Sequence, residues 1–482
     1  MTELSGQKPS SETVDALVTE LASIVGPKGW TTDPEVLAPR LEERRGLFHG
    51  ATPIMVSPAT TAEVSQVVRA CAAANVPVVP QGGNTGLCGG AVPNESGSEV
   101  LLSLHRLNRI REIDPASNSM TVEAGCILAD LQAAANEAGR LFPLSLAAEG
   151  SCQIGGNIST NAGGTAVLRY GNARELVLGL EVVLPDGQIW DGLRKLRKDN
   201  TGYDLKQIFI GSEGTLGIVT AAVLRLFPRP RSVVTAFVGM RDVDSALSLL
   251  NETRSCCGDS ITGFELISRR CLEFCLQHIP GTRNPLEGEH AWYVLVELQS
   301  GIAGVGLRNS AEEAFATAFE SDVIQDATIA ENESQALAFW KIRESLPEAE
   351  LHEGGSIKHD VSVPLPDIPA FIDQASEAVE KVLPGVRVVA FGHLGDGNIH
   401  FNVAQPEGDD KDAYLAKWGF VNEIVHGIVG SFDGSISAEH GLGRLKRDEV
   451  RHYKSPLEID LMEKLKAAMD PDGMLNPGKV VR

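Results

Sequence analysis

The sequence predicts an α+β fold spread over more than one domain, and three observations carry that expectation. Helix-like and strand-like patterns follow one another without the regular alternation of a doubly wound parallel chain. Three glycine-rich loops stand between strand-like runs from Pro80 to Val219, too many for ordinary turns and suited to one long ligand touched repeatedly by backbone. The length of 482 residues exceeds one ordinary core and suits two or three domains.

Hydrophobic content of 43% and charged content of 22% belong to a soluble globular chain. A net charge of -22 argues against a nucleic-acid partner, whose phosphates need a basic face. An anionic substrate would need a locally basic pocket. No apolar run approaches the roughly 18 residues of a membrane span, and none resembles a signal peptide. The polar start, Met1 to Ser11, lacks the Arg-rich amphipathic character of an organelle-targeting segment, so the expected compartment is cytoplasmic. Eight Cys without a C-x-x-C spacing form neither an iron–sulfur set nor a zinc ribbon, and free thiols are expected.

In chain order, Val14, Leu17, Leu21 and Val25 make a helical stripe after the candidate caps Ser10 and Ser11. This reads as a helical appendage over residues 1–49. A helix opening at Thr60-Thr61-Ala62-Glu63 and running to Ala74 precedes a strand from Val76 to Val79. The loop Pro80-Gln81-Gly82-Gly83-Asn84-Thr85-Gly86 follows, and such a loop can aim successive N–H groups at a pyrophosphate. It is neither G-x-G-x-x-G opening a helix nor a Lys-containing phosphate loop, so a nicotinamide or ATP site is not suggested. Strand patterns around Leu101, over Ile110 to Ile113 and over Met120 to Glu123 continue the α+β order. The second cluster runs from Gly155 to Gly164, a strand spans Val177 to Leu184, and the third cluster is Gly211-Ser212-Glu213-Gly214-Thr215-Leu216-Gly217.

Those loops, in that order and with Asp199-Asn200-Thr201-Gly202-Tyr203-Asp204-Leu205 between the last two, resemble the FAD-binding domain of the vanillyl-alcohol oxidase and p-cresol methylhydroxylase superfamily over residues 50–230. The resemblance implies that Pro80, Gln81, Gly82, Gly83, Asn84, Thr85 and Gly86 cradle the FAD pyrophosphate. It places Gly150, Gly155, Gly156, Asn157, Ser159, Thr160, Asn161, Gly163 and Gly164 near the flavin ring. It carries Glu213, Gly214, Gly217, Ile218 and Val219 to the adenine side. Some members hold flavin covalently through a His in the first loop. Asn84 stands at that position here, which implies dissociable FAD.

Pro228 and Pro230 break regular structure and mark a boundary. A strand from Val233 and a helix over Val243 to Leu250 then open a substrate or cap domain over residues 231–430, with residues 431–482 as a C-terminal helical segment that contributes to the active site. Within the cap, Arg387 to Phe391 and Ile399 to Val403 read as strands joined by the turn from Gly392 to Asn398. Alternation puts His400 and Asn402 on one face and Phe401 on the other. His393 can fold back beside His400, and two such imidazoles are either structural or ligands of a divalent metal. Glu439 beside His440 in a Gly-flanked loop offers a carboxylate that would complete an open, catalytic type of zinc site.

Together, the segment from Gly392 to His400, Glu439-His440-Gly441-Leu442-Gly443 and Leu475-Asn476-Pro477-Gly478-Lys479 resemble the D-2-hydroxyacid dehydrogenase branch of that superfamily, and the D-2-hydroxyglutarate dehydrogenases most of all. The resemblance implies Zn2+ or another divalent metal on His393, His400 and Glu439, and His440 as base. It also implies substrate contacts from Asn402, His440, Arg343 and Lys358, and a cofactor contact from Asn476. Pro347, a turn after Arg343, stands where 2-hydroxyglutarate enzymes carry a hydroxyl residue.

The implied chemistry has His440 take the hydroxyl proton while the α-hydrogen leaves as hydride to flavin N5. Electrons then pass to an external acceptor such as an electron-transfer flavoprotein or a quinone, and a homodimer stays open. Alternatives are a D-lactate or broad D-2-hydroxyacid dehydrogenase, and a noncatalytic FAD-carrying electron-transfer subunit. The two cations Arg343 and Lys358 are expected to await substrate carboxylates. The purified protein is expected to be yellow and to release intact FAD on denaturation; flavin that stays with the precipitated chain would refute the reading of Asn84.

Overall fold

The computed structural model describes residues 10–482, so the polar start from Met1 to Pro9 lies outside the described residues. The chain divides into two compact units, the first of Met1–Gly164, Asn172–Pro228 and Glu439–Arg482 and the second of Thr165–Gly171 and Arg229–Ala438.

The first unit holds two main sheets. One is a four-stranded sheet whose parallel part sets Met55–Val56 and Val78–Gln81 on either side of Val100–Ser103. Its strands are apolar almost throughout because both faces are covered, as parallel strands require. The helix Thr61–Ala73 buries Val64, Val67 and Val68 in the same core, and its Thr60 cap accepts from Glu63 N–H. The N-terminal helix Ser11–Val25 packs into this unit. Leu17, Leu21 and Val25 enter the core that holds Val56, Val100 and Leu102.

The second sheet of this unit is antiparallel, in the order Ile110–Asp114, Ser119–Glu123, Ile218–Arg225, Val177–Val183, Ile189–Gly192. The C-terminal residues join the parallel sheet: Val78 N–H donates to Met474 O, and Asn476 N–H donates to Val78 O. The strand expected from Val76 to Val79 therefore lies two residues further on, at Val78–Gln81. Pro80 is tolerated there although it has no N–H to give.

The second unit is one antiparallel sheet with helices packed on it. The strands run Asp326–Ile329, Ser232–Met240, Trp292–Ser300, Ile261–Ser268, Arg387–His393, Asn398–Ala404 and Ser356–Ile357. Asp360–Ser362 also pairs with Asn398–Ala404. The hairpin is longer than its sequence suggests, since His393 ends its strand, opposite Asn398, and does not begin the turn. The single strand expected through Ile357-Lys358-His359-Asp360 is broken between Ile357 and Asp360, which leaves Lys358 and His359 outside regular pairing.

The helix Glu333–Leu351 carries Arg343, keeps Pro347 inside it and continues to Glu350. Val243–Cys257 extends two turns beyond the expected Leu250 because Leu249, Leu250 and Thr253 continue its buried face. All eight cysteines are free.

Candidate functional site

The first unit carries an open cleft of about 870 Å3, a figure that includes the solvent-filled space at its mouth. All three glycine-rich clusters line it: Pro80 to Gly86 from the first, Gly155, Gly156, Asn157, Ser159 and Thr160 from the second, and Glu213, Gly214, Gly217, Ile218 and Val219 from the third. The glycines divide by physical role. A Cβ on Gly83 would stand 2.3 Å from Ser151 O, so that glycine lets the first loop lie against backbone. A Cβ on Gly86 or Gly156 would meet nothing within 4 Å, so these two border open space that a ligand can use.

The polar lining points to the same use. Gln81 Oε1, Gln153 Oε1 and Asn157 Oδ1 are buried with no hydrogen-bond partner among the described residues. Orphaned buried acceptors are costly and require a donor. A ligand rich in O–H and N–H groups, as FAD is, supplies such donors, and the residues present fit it. Gln153, Ala91 and Leu104 line the cavity without having been read from the sequence. Gln153 carried a signal of its own, an amide two residues before Gly155-Gly156-Asn157 in a run that otherwise buries apolar groups.

Several expected cofactor residues lie outside this lining and act on the loops. Asn84 lines the cavity, but its side-chain amide donates to Pro39 O and Glu42 O. Asn161 Oδ1 accepts from Arg174 N–H, and Gly164 N–H donates to Glu439 Oε1 at 2.8 Å. Asn476 is buried, and its Nδ2 donates to Gly90 O at 2.9 Å and Glu213 O at 2.8 Å, tying the C-terminal segment to two loops. A Cβ on Gly150 meets nothing within 4 Å, and Gly150 and Gly163 make no cavity contact. His440 lines the cavity. Burial raises the Glu213 carboxyl to about 7, against the backbone N–H groups of Leu442 and Gly443 and the charge of Lys446, which oppose the rise.

The second unit carries His393, His400, Arg343, Lys358 and Asn402, and two buried carboxylates organise four of them. Glu265, 1% exposed, accepts from Arg343 Nε at 2.7 Å and pairs with His393 Nδ1 at 2.8 Å. Burial would raise its carboxyl, but His393 and Arg343 beside it outweigh burial and hold it at about 2. Glu350, also 1% exposed, faces Lys358 Nζ at 3.1 Å and Asn402 Nδ2 at 2.9 Å. Each cation thus has a carboxylate partner inside the protein, which corrects the expectation that both wait for substrate. The sequence did hint at Glu265, the single charge in the buried strand Ile261–Ser268, and at Glu350, two helical turns from Arg343 on one face.

The rings of His393 and His400 stand 5.7 Å apart, and one nitrogen of each lies within 4.8 Å of one of the other. The bond from Nδ1 to Glu265 places the lone pair of a neutral His393 ring on Nε2, the arrangement in which a carboxylate orients a metal-binding imidazole. His400 has Asp360 Oδ1 at 3.9 Å from its Nδ1. The donor types and spacing of this pair fit a divalent ion. Arg343 also lies over the Phe391 ring at 5.1 Å, so its charge is held in place from two sides.

Comparison with known proteins gives concordant matches. Residues 52–192 match the family described as FAD binding domain, and residues 229–480 match FAD linked oxidases, C-terminal domain. The chain is 39% identical over 464 residues to a mitochondrial D-2-hydroxyglutarate dehydrogenase of Arabidopsis thaliana, covering 96% of this chain and 81% of the relative. It is 37% identical to the D-2-hydroxyglutarate dehydrogenase of Stutzerimonas stutzeri, covering 96% and 98%. A putative mitochondrial D-lactate dehydrogenase of Schizosaccharomyces pombe is 40% identical, covering 94% and 86%. Among solved structures, p-cresol methylhydroxylase with substrate bound is similar in fold at a TM-score of 0.77 and 16% identity, covering 98% of this chain and 97% of that one.

The carboxylate of Glu265 gives a direct test of this geometry. Glu265→Ala leaves the Arg343 guanidinium buried without its partner and should cost about 3–5 kcal/mol in urea unfolding. A variant with the wild-type midpoint would contradict the buried pair.

Proposed function

The chain belongs to the FAD-dependent D-2-hydroxyacid dehydrogenases of the vanillyl-alcohol oxidase and p-cresol methylhydroxylase superfamily, and on that premise we propose that it oxidises D-2-hydroxyglutarate to 2-oxoglutarate. The observation that carries the choice of acid is the pair Arg343 and Lys358, two cations fixed in direction by Glu265 and Glu350 in the unit that also holds the two histidines. The names of the plant and bacterial relatives support it.

When bound, FAD supplies at N5 an acceptor for the hydride that leaves the α-carbon, and a divalent metal supplies a Lewis acid for the α-hydroxyl. His440 takes the hydroxyl proton as general base. Arg343 and Lys358 hold the substrate carboxylates, Arg343 through guanidinium N–H groups other than the Nε that Glu265 occupies. Asn402, held by Glu350, orients the substrate with its remaining polar atom. The proton goes to His440 and the electron pair leaves with the α-hydrogen, so the alcohol becomes a ketone in one two-electron step. In this reading His393, His400 and Glu439 are the metal's ligands, and an external acceptor such as an electron-transfer flavoprotein or a quinone reoxidises the cofactor.

A second reading, oxidation of D-lactate, is favoured by the fission-yeast relative's name and by Pro347, which offers no hydroxyl donor. Substrate preference separates the two. A hydrogen bond to a charged group contributes roughly 1.5–3 kcal/mol, or about ten- to more than a hundredfold in specificity. D-2-hydroxyglutarate should therefore exceed D-lactate in kcat/KM, and Arg343→Ala should narrow the gap mainly by harming the diacid. A wild-type enzyme at least as efficient on D-lactate would favour the second reading. For the metal, His393→Ala or His400→Ala should lose zinc and most activity while FAD stays bound. Either variant keeping both its zinc and its rate would sink the ligand assignment.

A further inference from the structure

The loop Glu439-His440-Gly441-Leu442-Gly443 is wrapped around one carboxylate. Glu213 Oε1 accepts from Leu442 N–H at 2.8 Å and Oε2 from Gly443 N–H at 2.9 Å. A Cβ on Gly441 would approach Glu213 Oε1 at 2.6 Å, and one on Gly443 would approach Cys88 O at 2.1 Å. Both glycines have positive φ, 73° and 49°, which a side chain rarely adopts. The two glycines are therefore where they are because the loop must close on Glu213 and on the first cofactor loop.

Glu213 is held as firmly on its own side. Its N–H donates to Ser159 O at 2.8 Å, and its carbonyl accepts from Asn476 Nδ2. Arg444 N–H, one residue past the glycines, donates to Cys88 O at 2.8 Å. One side chain of the third cofactor loop thereby ties that loop to the backbone that follows His440, and both Glu213 and His440 border the same cavity. A carboxylate whose two oxygens are turned to two backbone donors is spent on the protein.

We propose that Glu213 is a positioning residue for His440, holding the backbone of residues 441–443 so that the imidazole is presented to the cavity, and that it does not act as a ligand of the cofactor. This rests on the reading of His440 as the base. Replacing the carboxylate by an amide turns an N–H against one of the two loop N–H groups, so Glu213→Gln loses at least one of the bonds.

The test compares wild type, Glu213→Gln, His440→Gln and the double variant as FAD-saturated holoenzymes. The readouts are anaerobic flavin-reduction rate at saturating D-2-hydroxyglutarate, FAD affinity by fluorescence quenching, and hydrogen exchange of the 441–443 amides. Glu213→Gln should exchange those amides faster, keep its FAD affinity and slow reduction by about ten- to a hundredfold. It should add nothing to the defect of His440→Gln. Gly441→Ala, with Glu213 intact, should reproduce the slow reduction by pushing the same loop. Weakened FAD affinity with a normal reduction rate would overturn the proposal and make Glu213 a cofactor ligand. Defects that add in the double variant would also overturn it. If His440→Gln reduced flavin at the wild-type rate, the base reading would fall first and the proposal with it.

Discussion

Glu265 is the side chain on which the polar interior of the second unit depends. A carboxylate with 1% exposure is tolerated only where opposite charge and donors surround it, and here Arg343 and His393 do so from a helix and from the end of a strand. Such a pair contributes little net stability over an apolar pair of the same shape, because both ions give up water. Its effect is directional: the guanidinium and the imidazole each have one orientation that satisfies the shared carboxylate. Glu350 repeats the device with Lys358 and Asn402. Two carboxylates, neither of which faces chemistry itself, thereby fix four side chains that do in the proposed mechanism.

The first unit solves a different problem with backbone. Loops that must touch a long anionic cofactor cannot carry bulky side chains, and the space beside Gly86 and Gly156 is left open accordingly. Specific recognition then falls to a few amides, and Gln81, Gln153 and Asn157 each keep a buried carbonyl oxygen for a donor that no described residue provides. The C-terminal residues complete the cradle. Asn476 bridges Gly90 and Glu213, so the last residues of the chain secure loops far earlier in sequence.

What could be read in the sequence was what local pattern encodes. Glycine clusters between strands announced the three loops that line the cavity, and period-two alternation correctly turned Phe401 into the core, where it is fully buried. Boundaries moved where tertiary pairing decided them. His393 is drawn into its strand by pairing with both Asn398 and Glu265, and the Ile357 to Asp360 run breaks at Lys358. The carboxylates that organise the site escaped notice because a lone Glu in a strand or helix has no motif. Their meaning lies in partners 78 and 128 residues away for Glu265 and 52 for Glu350. The charge argument for substrate choice was incomplete for the same reason, since it counted cations without their buried partners.

The most direct measurement is anaerobic mixing of the holoenzyme with the two enantiomers of 2-hydroxyglutarate while the flavin absorbance is followed. The proposed reaction is oxidation of the D acid, so the D form should bleach the flavin within a single turnover and the L form should leave it oxidised. A flavin that remains oxidised with the D acid, while FAD is bound, would contradict the account.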